Sequence, residues 1–427
     1  MVSSLEEKII KTIDERRDEI IQLLKDLIRI PSITGEEGKC QEFVAKKLEE
    51  IGIEVDKWQI DWEELKKHPA YVPIETMGYK GYEGRPNVVG ILKGQKEHPS
   101  LIINGHTDVV PIGARNEWKH DPWGGEIEGN LIFGRGACDM KAGIAAMISA
   151  AATLVECNVK LKGTLYIESV VDEEAGGNGT LACIIRGYKA DAGIIAEPTS
   201  LHYLCNSNRG AQFFRIKIKG GSGGLELKYT IPEAIEKAFK IYKAVDDFAA
   251  MRQIDVKHPL FKAFPLPAKI PTGICKIQAG DWPSTIPGTC IMEGSLECLP
   301  GEDIREIREQ FKKYIAFVAQ TDPWLKRKPP EVEWFGLWLE AAETPVNHPI
   351  VETIKKTSKE ILNFEPQIIG GGGSDLRLLN LYADTPSVLY GPGGGAMHGF
   401  DEYADLKQLI DYTKSLTVTI VRWCGVT

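Results

Sequence analysis

Apolar positions recur at three- and four-residue spacing from the first residues through Ile28, and again over 39–51, as expected of helices with one buried face. Ser4 and Glu7 have the spacing of a capping box opening the first helix, and Pro31 ends it. The period then shortens. Runs rich in β-branched residues at 87–92, 100–104 and 131–133 predict strands. An apolar helix over 141–155 follows, then a strand at 163–171, a helix at 180–186 and a strand at 192–196. This alternation predicts an α/β sheet packed on both faces. The apolar run 143–155 is too short to span a bilayer and reads as a buried helix.

After Asn206 the order changes to strand 211–219, helix 232–251, strands 273–279 and 289–298, helix 303–319 and strand 331–335. That is β-α-β-β-α-β, the ferredoxin-like order. The α/β pattern resumes with helix 349–362, strand 386–390 and helix 404–423. The expected division is therefore one α/β domain made of 1–206 and 337–427, with an α+β domain, 207–336, inserted into it.

Composition narrows the function. With 427 residues, 43% hydrophobic and 26% charged, the chain has material for a large core and for two or three domains. A net charge of -9 argues against nucleic acid, which selects a basic face, and no basic amphipathic segment suggests a membrane partner. Nine cysteines, odd in number and without a CxxC pair, predict reduced thiols and a cytosolic protein. The charged N-terminal stretch lacks an apolar leader core.

Five stretches place acids or imidazoles at sharp breaks after apolar strands. In IINGHTDVVP, His106 and Asp108 are two apart and share a face of an extended segment. A nearby carboxylate often orients a histidine ligand. In GRGACDMKAG, Asp139 precedes an apolar helix, as an N-cap would. In ESVVDEEAGGNG, a strand runs into Asp172, Glu173 and Glu174, which repel one another unless cations are near. IIAEPTS ends a strand on Glu197, and YGPGGGAMHGFDEY carries His398 in a glycine-rich loop. A parallel sheet would bring these groups to one edge, where α/β proteins place their sites. Two of only eight histidines fall here. Two histidines and three carboxylates suffice for two zinc ions sharing one carboxylate, with a glutamate left over as a base.

In this order, GHTDVVP, GRGACDMKAG, DEEAGG, AEPT and the late MHG stretch resemble the co-catalytic zinc hydrolases that include acetylornithine deacetylase, succinyl-diaminopimelate desuccinylase, aminoacylase-1 and carboxypeptidase G. The likeness covers nearly the whole chain. It implies a zinc-peptidase-like catalytic domain with a mostly parallel twisted sheet, and a ferredoxin-like lid that often makes a homodimer. It also implies two Zn2+, with Co2+ as a substitute. His106, Asp139 and Glu197 would hold one ion, and Asp139, Glu174 and His398 the other. Asp108 would clamp His106, Glu173 would be the general base, and the peptide after Asp139 would be cis. Gly373, Ser374 and Arg377 resemble the family's substrate loop, and Arg209 a turn at the start of the lid. Each arginine fits either a substrate carboxylate or a structural salt bridge.

The lid departs from the family at two places. In KGGSGGLELKYTIPEAI, the position of a histidine that donates to the oxyanion falls at Gly224. Losing such a donor typically costs roughly 10²–10³ in turnover. Ser222, Lys228, Tyr229 or a backbone N–H stand nearby as substitutes. In AGDWPSTIPG, Thr285 stands where the commoner pattern has asparagine. The expected activity is hydrolysis of a linear amide in a small N-acyl or N-formyl amino acid or amine. The rivals are a di- or aminopeptidase, and a binding protein whose turnover is lost at Gly224.

Overall fold

In the computed structural model, residues 2–96, 98–254, 256–262 and 267–427 are described. The chain divides into two compact units, Met1–Ser207 with Glu343–Thr427, and Asn208–Ala342.

The first unit is built on a nine-stranded mixed sheet. Its middle strands run parallel in the order Leu165–Val170, Leu101–His106, Ala192–Ile195 and Ser387–Leu389. Pro86–Leu92 lies antiparallel beside Leu165–Val170, with Glu54–Gln59 antiparallel to it at the edge, and Tyr203–Asn208 lies antiparallel beside Ser387–Leu389. The register aligns the ends of the parallel strands: His106 pairs with Val170, Asn104 with Ile195, and Ile195 with Leu389.

Side-chain alternation gives the sheet two buried faces. Val88 joins the cluster of helices Ala142–Glu156 and Leu406–Cys424, while Val89 packs with Val170 and Cys183 of helix Asn178–Arg186. Helix Ala142–Glu156 is apolar and buried from Ala142 through Leu154, so it serves as a core helix. Gly143 on that helix and Gly391 press on Ala196 and Glu197. A Cβ at either would lie 2.3 or 2.4 Å from a carbonyl oxygen there, so only glycine permits the approach.

Two N-terminal details correct the reading above. The capping box is Ser3 with Glu6, one residue earlier than Ser4 and Glu7. The first helix is also two, Ser4–Glu15 and Arg17–Ile28. Arg16 leaves helical geometry (φ -93, ψ 10), and its guanidinium pairs with Glu19 and Glu156.

The second unit has strands Gly210–Lys219, Thr272–Ala279, Thr289–Cys298 and Glu331–Leu339 and long helices Ala234–Ile254 and Ile304–Ala319. The strands pair antiparallel, with Thr272–Ala279 at one edge beside Thr289–Cys298 and Glu331–Leu339 at the other beside Gly210–Lys219. Both helices share one core with the sheet, around Phe214, Ile241, Met292 and Phe311. The last strand runs past the expected 335 because a register shift at Gly336 (φ 55) absorbs a bulge and lets pairing resume at Trp338. Gly223–Gly224 forms a short ladder with Thr285–Ile286, and the Gly220 N–H donates to the Gly288 carbonyl at 2.9 Å.

Candidate active site

The aligned strand ends bring four loops together. His106 ends its strand, Glu173 and Glu174 follow Leu165–Val170, Glu197 follows Ala192–Ile195, and His398 lies in the loop after Ser387–Leu389. Asp139 sits in the turn Ala137–Lys141 before the core helix. Asp139 (φ -114, ψ 97) and Met140 (φ -130, ψ 36) are not helical, and the helix begins at Ala142 with no side-chain cap. Asp139 is therefore free of the capping role its sequence position suggests. The Asp139–Met140 peptide is cis.

Asp139 stands between the two imidazoles. Its Oδ1 is 3.2 Å from His106 Nε2, and its Oδ2 is 3.4 Å from His398 Nε2. Glu197 and Glu173 lie 3.6 and 3.9 Å from His106 Nε2, and Glu174 lies 3.2 Å from His398 Nε2. Ligand atoms of His106, Glu173 and Glu197, and those of His106, Asp139 and Glu174, fall within 4.8 Å of one another.

Charge is unbalanced in this cluster. Burial opposes the charged form of His106, yet the Asp139 hydrogen bond and the Glu197, Asp108 and Glu173 carboxylates hold it protonated well above the usual histidine range. Burial also raises Glu173, Glu174 and Glu197, and their mutual repulsion adds to it. Two imidazoles face four carboxylates, so added positive charge is what the donor set calls for. Mixed imidazole and carboxylate donors suit divalent zinc or cobalt.

The residues around the cluster divide the work differently from their sequence positions. His106 Nδ1 lies 2.9 Å from the Asp108 backbone oxygen and 3.5 Å from its carboxylate. That carboxylate instead accepts the Glu173 and Glu174 N–H groups, each at 3.1 Å, and the Thr34 hydroxyl at 3.0 Å. The third acid of the acidic turn faces away. Asp172 (φ 67) accepts from the Tyr82 hydroxyl at 2.7 Å and lies 3.4 Å from Arg85, which is itself paired with Glu37.

Arg377 is fully buried and donates to the Gly176 carbonyl at 2.9 Å, behind the acidic turn. Ser374 is buried at the start of helix Leu376–Tyr382, and Gly373 is exposed. In the second unit, buried Arg209 pairs with Glu297, the salt-bridge alternative raised above. Gly224 and Thr285, the two departures from the lid pattern, are direct register partners. Sequence reasoning missed Arg85, Tyr82 and Glu402. Only Glu402 carried a signal, since it stands four residues after His398 in the same loop.

Residues 102–422 match Peptidase family M20/M25/M40, and the chain belongs to that family. It is 30% identical to the N-formyl-4-amino-5-aminomethyl-2-methylpyrimidine deformylase of Bacillus subtilis (strain 168), over 97% of each chain. It is 26% identical to the succinyl-diaminopimelate desuccinylase of Gluconobacter oxydans (strain 621H), over 92% of this chain and 94% of that one. The fold is shared with human carnosine dipeptidase 1, with a TM-score of 0.77 at 17% identity, covering 98% and 99% of the two chains. The chain is an amidohydrolase of the deacylase kind, as the motifs led us to expect, and the binding-protein alternative is not favoured.

Proposed function

We propose that the chain hydrolyses the formamide of an N-formyl amine carried on a heteroaromatic ring, releasing formate and the free amine. N-formyl-4-amino-5-aminomethyl-2-methylpyrimidine is the reference substrate. The observation that carries this is the 30% identity to the Bacillus subtilis deformylase over 97% of both chains.

We infer two zinc ions, with cobalt as a working substitute. His106, Asp139 and Glu197 would hold one, and Asp139, Glu174 and His398 the other. The two-sided placement of the Asp139 oxygens supports this division. When bound, the pair supplies Lewis acidity to the amide carbonyl and acidifies water. Glu173 takes the water proton on its carboxylate and returns it to the leaving nitrogen. Burial holds that carboxyl well above its ordinary range, and the Asp375, Glu197 and Glu174 carboxylates add to it. Asp108 fixes His106 through its backbone oxygen and Glu173 through the amide of the acidic turn. Substrate contact is assigned to the exposed Gly373. Ser374 anchors that loop, Arg377 braces the acidic turn and Arg209 braces the lid.

A homodimer through the lid is supported by the edge strand Thr272–Ala279. Ile277 on that strand, with Ile235, Phe239 and Tyr242 on helix Ala234–Ile254, exposes apolar surface that a second copy would cover. Nine unpaired thiols support a cytosolic location.

Formate release, measured with added zinc or cobalt, tests the substrate. The aminopyrimidine formamide is expected to outrun N-acetyl and N-succinyl amines and dipeptides. Faster turnover of dipeptides bearing a free α-amine would sink the proposal. Gly224→His, run beside the parent, is expected to raise kcat. Its φ of -65 suits any side chain, and the three atoms nearest the Cβ all belong to the flexible Glu226 carboxylate. An unchanged kcat would mean that position 224 has no part in stabilising the oxyanion.

A further inference from the structure

We propose that Glu402 is a positioning residue that builds the Asp139–His398 side of the centre. The inference rests on the metal-site reading above. The amides of Gly136, Cys138 and Asp139 lie at the opening of the turn, where no helical acceptor stands behind them. Buried N–H groups need a partner. Glu402, only 1% exposed, supplies it. Its Oε1 accepts from Cys138 N and Asp139 N, each at 3.0 Å. Its Oε2 accepts from Gly136 N at 3.0 Å and from Arg135 Nη1 at 2.6 Å. The Glu402 backbone oxygen also accepts from Gly134 N at 2.8 Å.

One side chain thus gathers three amides of the turn that carries Asp139, from a position four residues beyond His398. His398 needs such support. Its side chain is 54% exposed, and its loop holds three left-handed residues, Ala396, His398 and Asp401, at φ 54, 59 and 51. The other histidine segment does the same for the other acidic turn, where the Asp108 carboxylate gathers the Glu173 and Glu174 amides. Each histidine loop therefore holds the turn that bears acids of the centre.

Glu402→Gln keeps the shape but replaces one acceptor oxygen by an NH2 facing backbone donors. Arg135→Gln is the control, breaking the ion pair while leaving the three amides their acceptor. Metal-stripped protein is titrated with Co2+, followed by visible absorption, and with Zn2+ by calorimetry. The parent should take two equivalents. Glu402→Gln should bind the ion on the His398 side roughly 10–100-fold more weakly, the usual effect of losing an outer-shell partner, and the other ion less weakly, since Asp139 faces both imidazoles. Arg135→Gln should retain both. Parental binding of both ions by Glu402→Gln would overturn the proposal, as would equal weakening in both variants, which would make Glu402 a partner of Arg135 only. If Glu402→Gln does not fold, Glu402→Asp decides by the same reading, since it keeps the charge but is too short to span the turn. A parent that binds no metal would sink the metal reading itself, a separate result.

Discussion

The two sides of the centre are built by different means. His106 ends a strand inside the sheet, is 1% exposed, and has its Nδ1 held by a backbone oxygen at 2.9 Å. Its neighbour Glu197 leaves the adjacent parallel strand. His398 stands in an exposed loop with left-handed backbone, steadied by Glu402 and by Asp401, whose carboxylate accepts from the Lys119 and His120 amides. Phe400 of the same loop packs edge-on against Trp118. One side is placed by the fold, which cannot move it cheaply; the other is placed by hydrogen bonds from residues that are not themselves ligands.

The strongest test of that contrast removes what both sides share. Asp139→Asn takes the charge from the carboxylate that faces both imidazoles. It should abolish binding of both ions and bring formate release to background. Retention of one tight equivalent would show that one side stands without Asp139. Next in size, Glu173→Gln should lower kcat by roughly 10²–10⁴, the range for a lost general base, while both ions still bind. Loss of an ion would instead make Glu173 a ligand of the His106 side, where its Oε2 lies 3.9 Å from Nε2.

A third pair compares the sides directly in metal-stripped protein. His106→Ala opens a hole in the buried side and should destabilise by about 1–3 kcal/mol in urea unfolding. His398→Ala removes a half-exposed ring and should cost less than His106→Ala. Equal losses would mean that the loop side is as much a part of the folded core as the strand side.

The strand side was also the easier to read from sequence. β-branched runs ending in GHTD, VVDEE and IIAEP announce parallel strands with ligands at their ends, because local propensity and burial agree there. His398 was legible through its glycine-rich loop, but its supports were not. Glu402, Arg85 and Tyr82 act through contacts across 264, 87 and 90 residues of chain, which no local pattern records. The three acids of DEE showed the opposite limit: adjacent in sequence, they turn to a buried arginine network, to His106 and to His398 in turn. The lid was legible as β-α-β-β-α-β, yet the cross-strand meeting of Gly224 with Thr285 depends on pairing, which the sequence does not order.

The smallest expected effect concerns charge on the loop side. Without metal, hydrogen bonds donated to the Asp139 and Glu174 carboxylates push His398 up to about 10, from an ordinary value of 6.5. The folded value is the higher, so the protonated ring stabilises the fold. That contribution is complete below pH 6.5 and is lost as pH rises from there through about 10. Solvent screens a ring that is 54% exposed, so the slope is shallow. In metal-stripped protein the urea midpoint should fall between these limits, and His398→Ala should remove part of the fall. His106, raised by the buried carboxylates around it, should keep its own share in that variant. An unchanged slope in His398→Ala would place the ring away from Asp139 and Glu174 until metal binds, making the loop side assembled by the ion and only the strand side preformed.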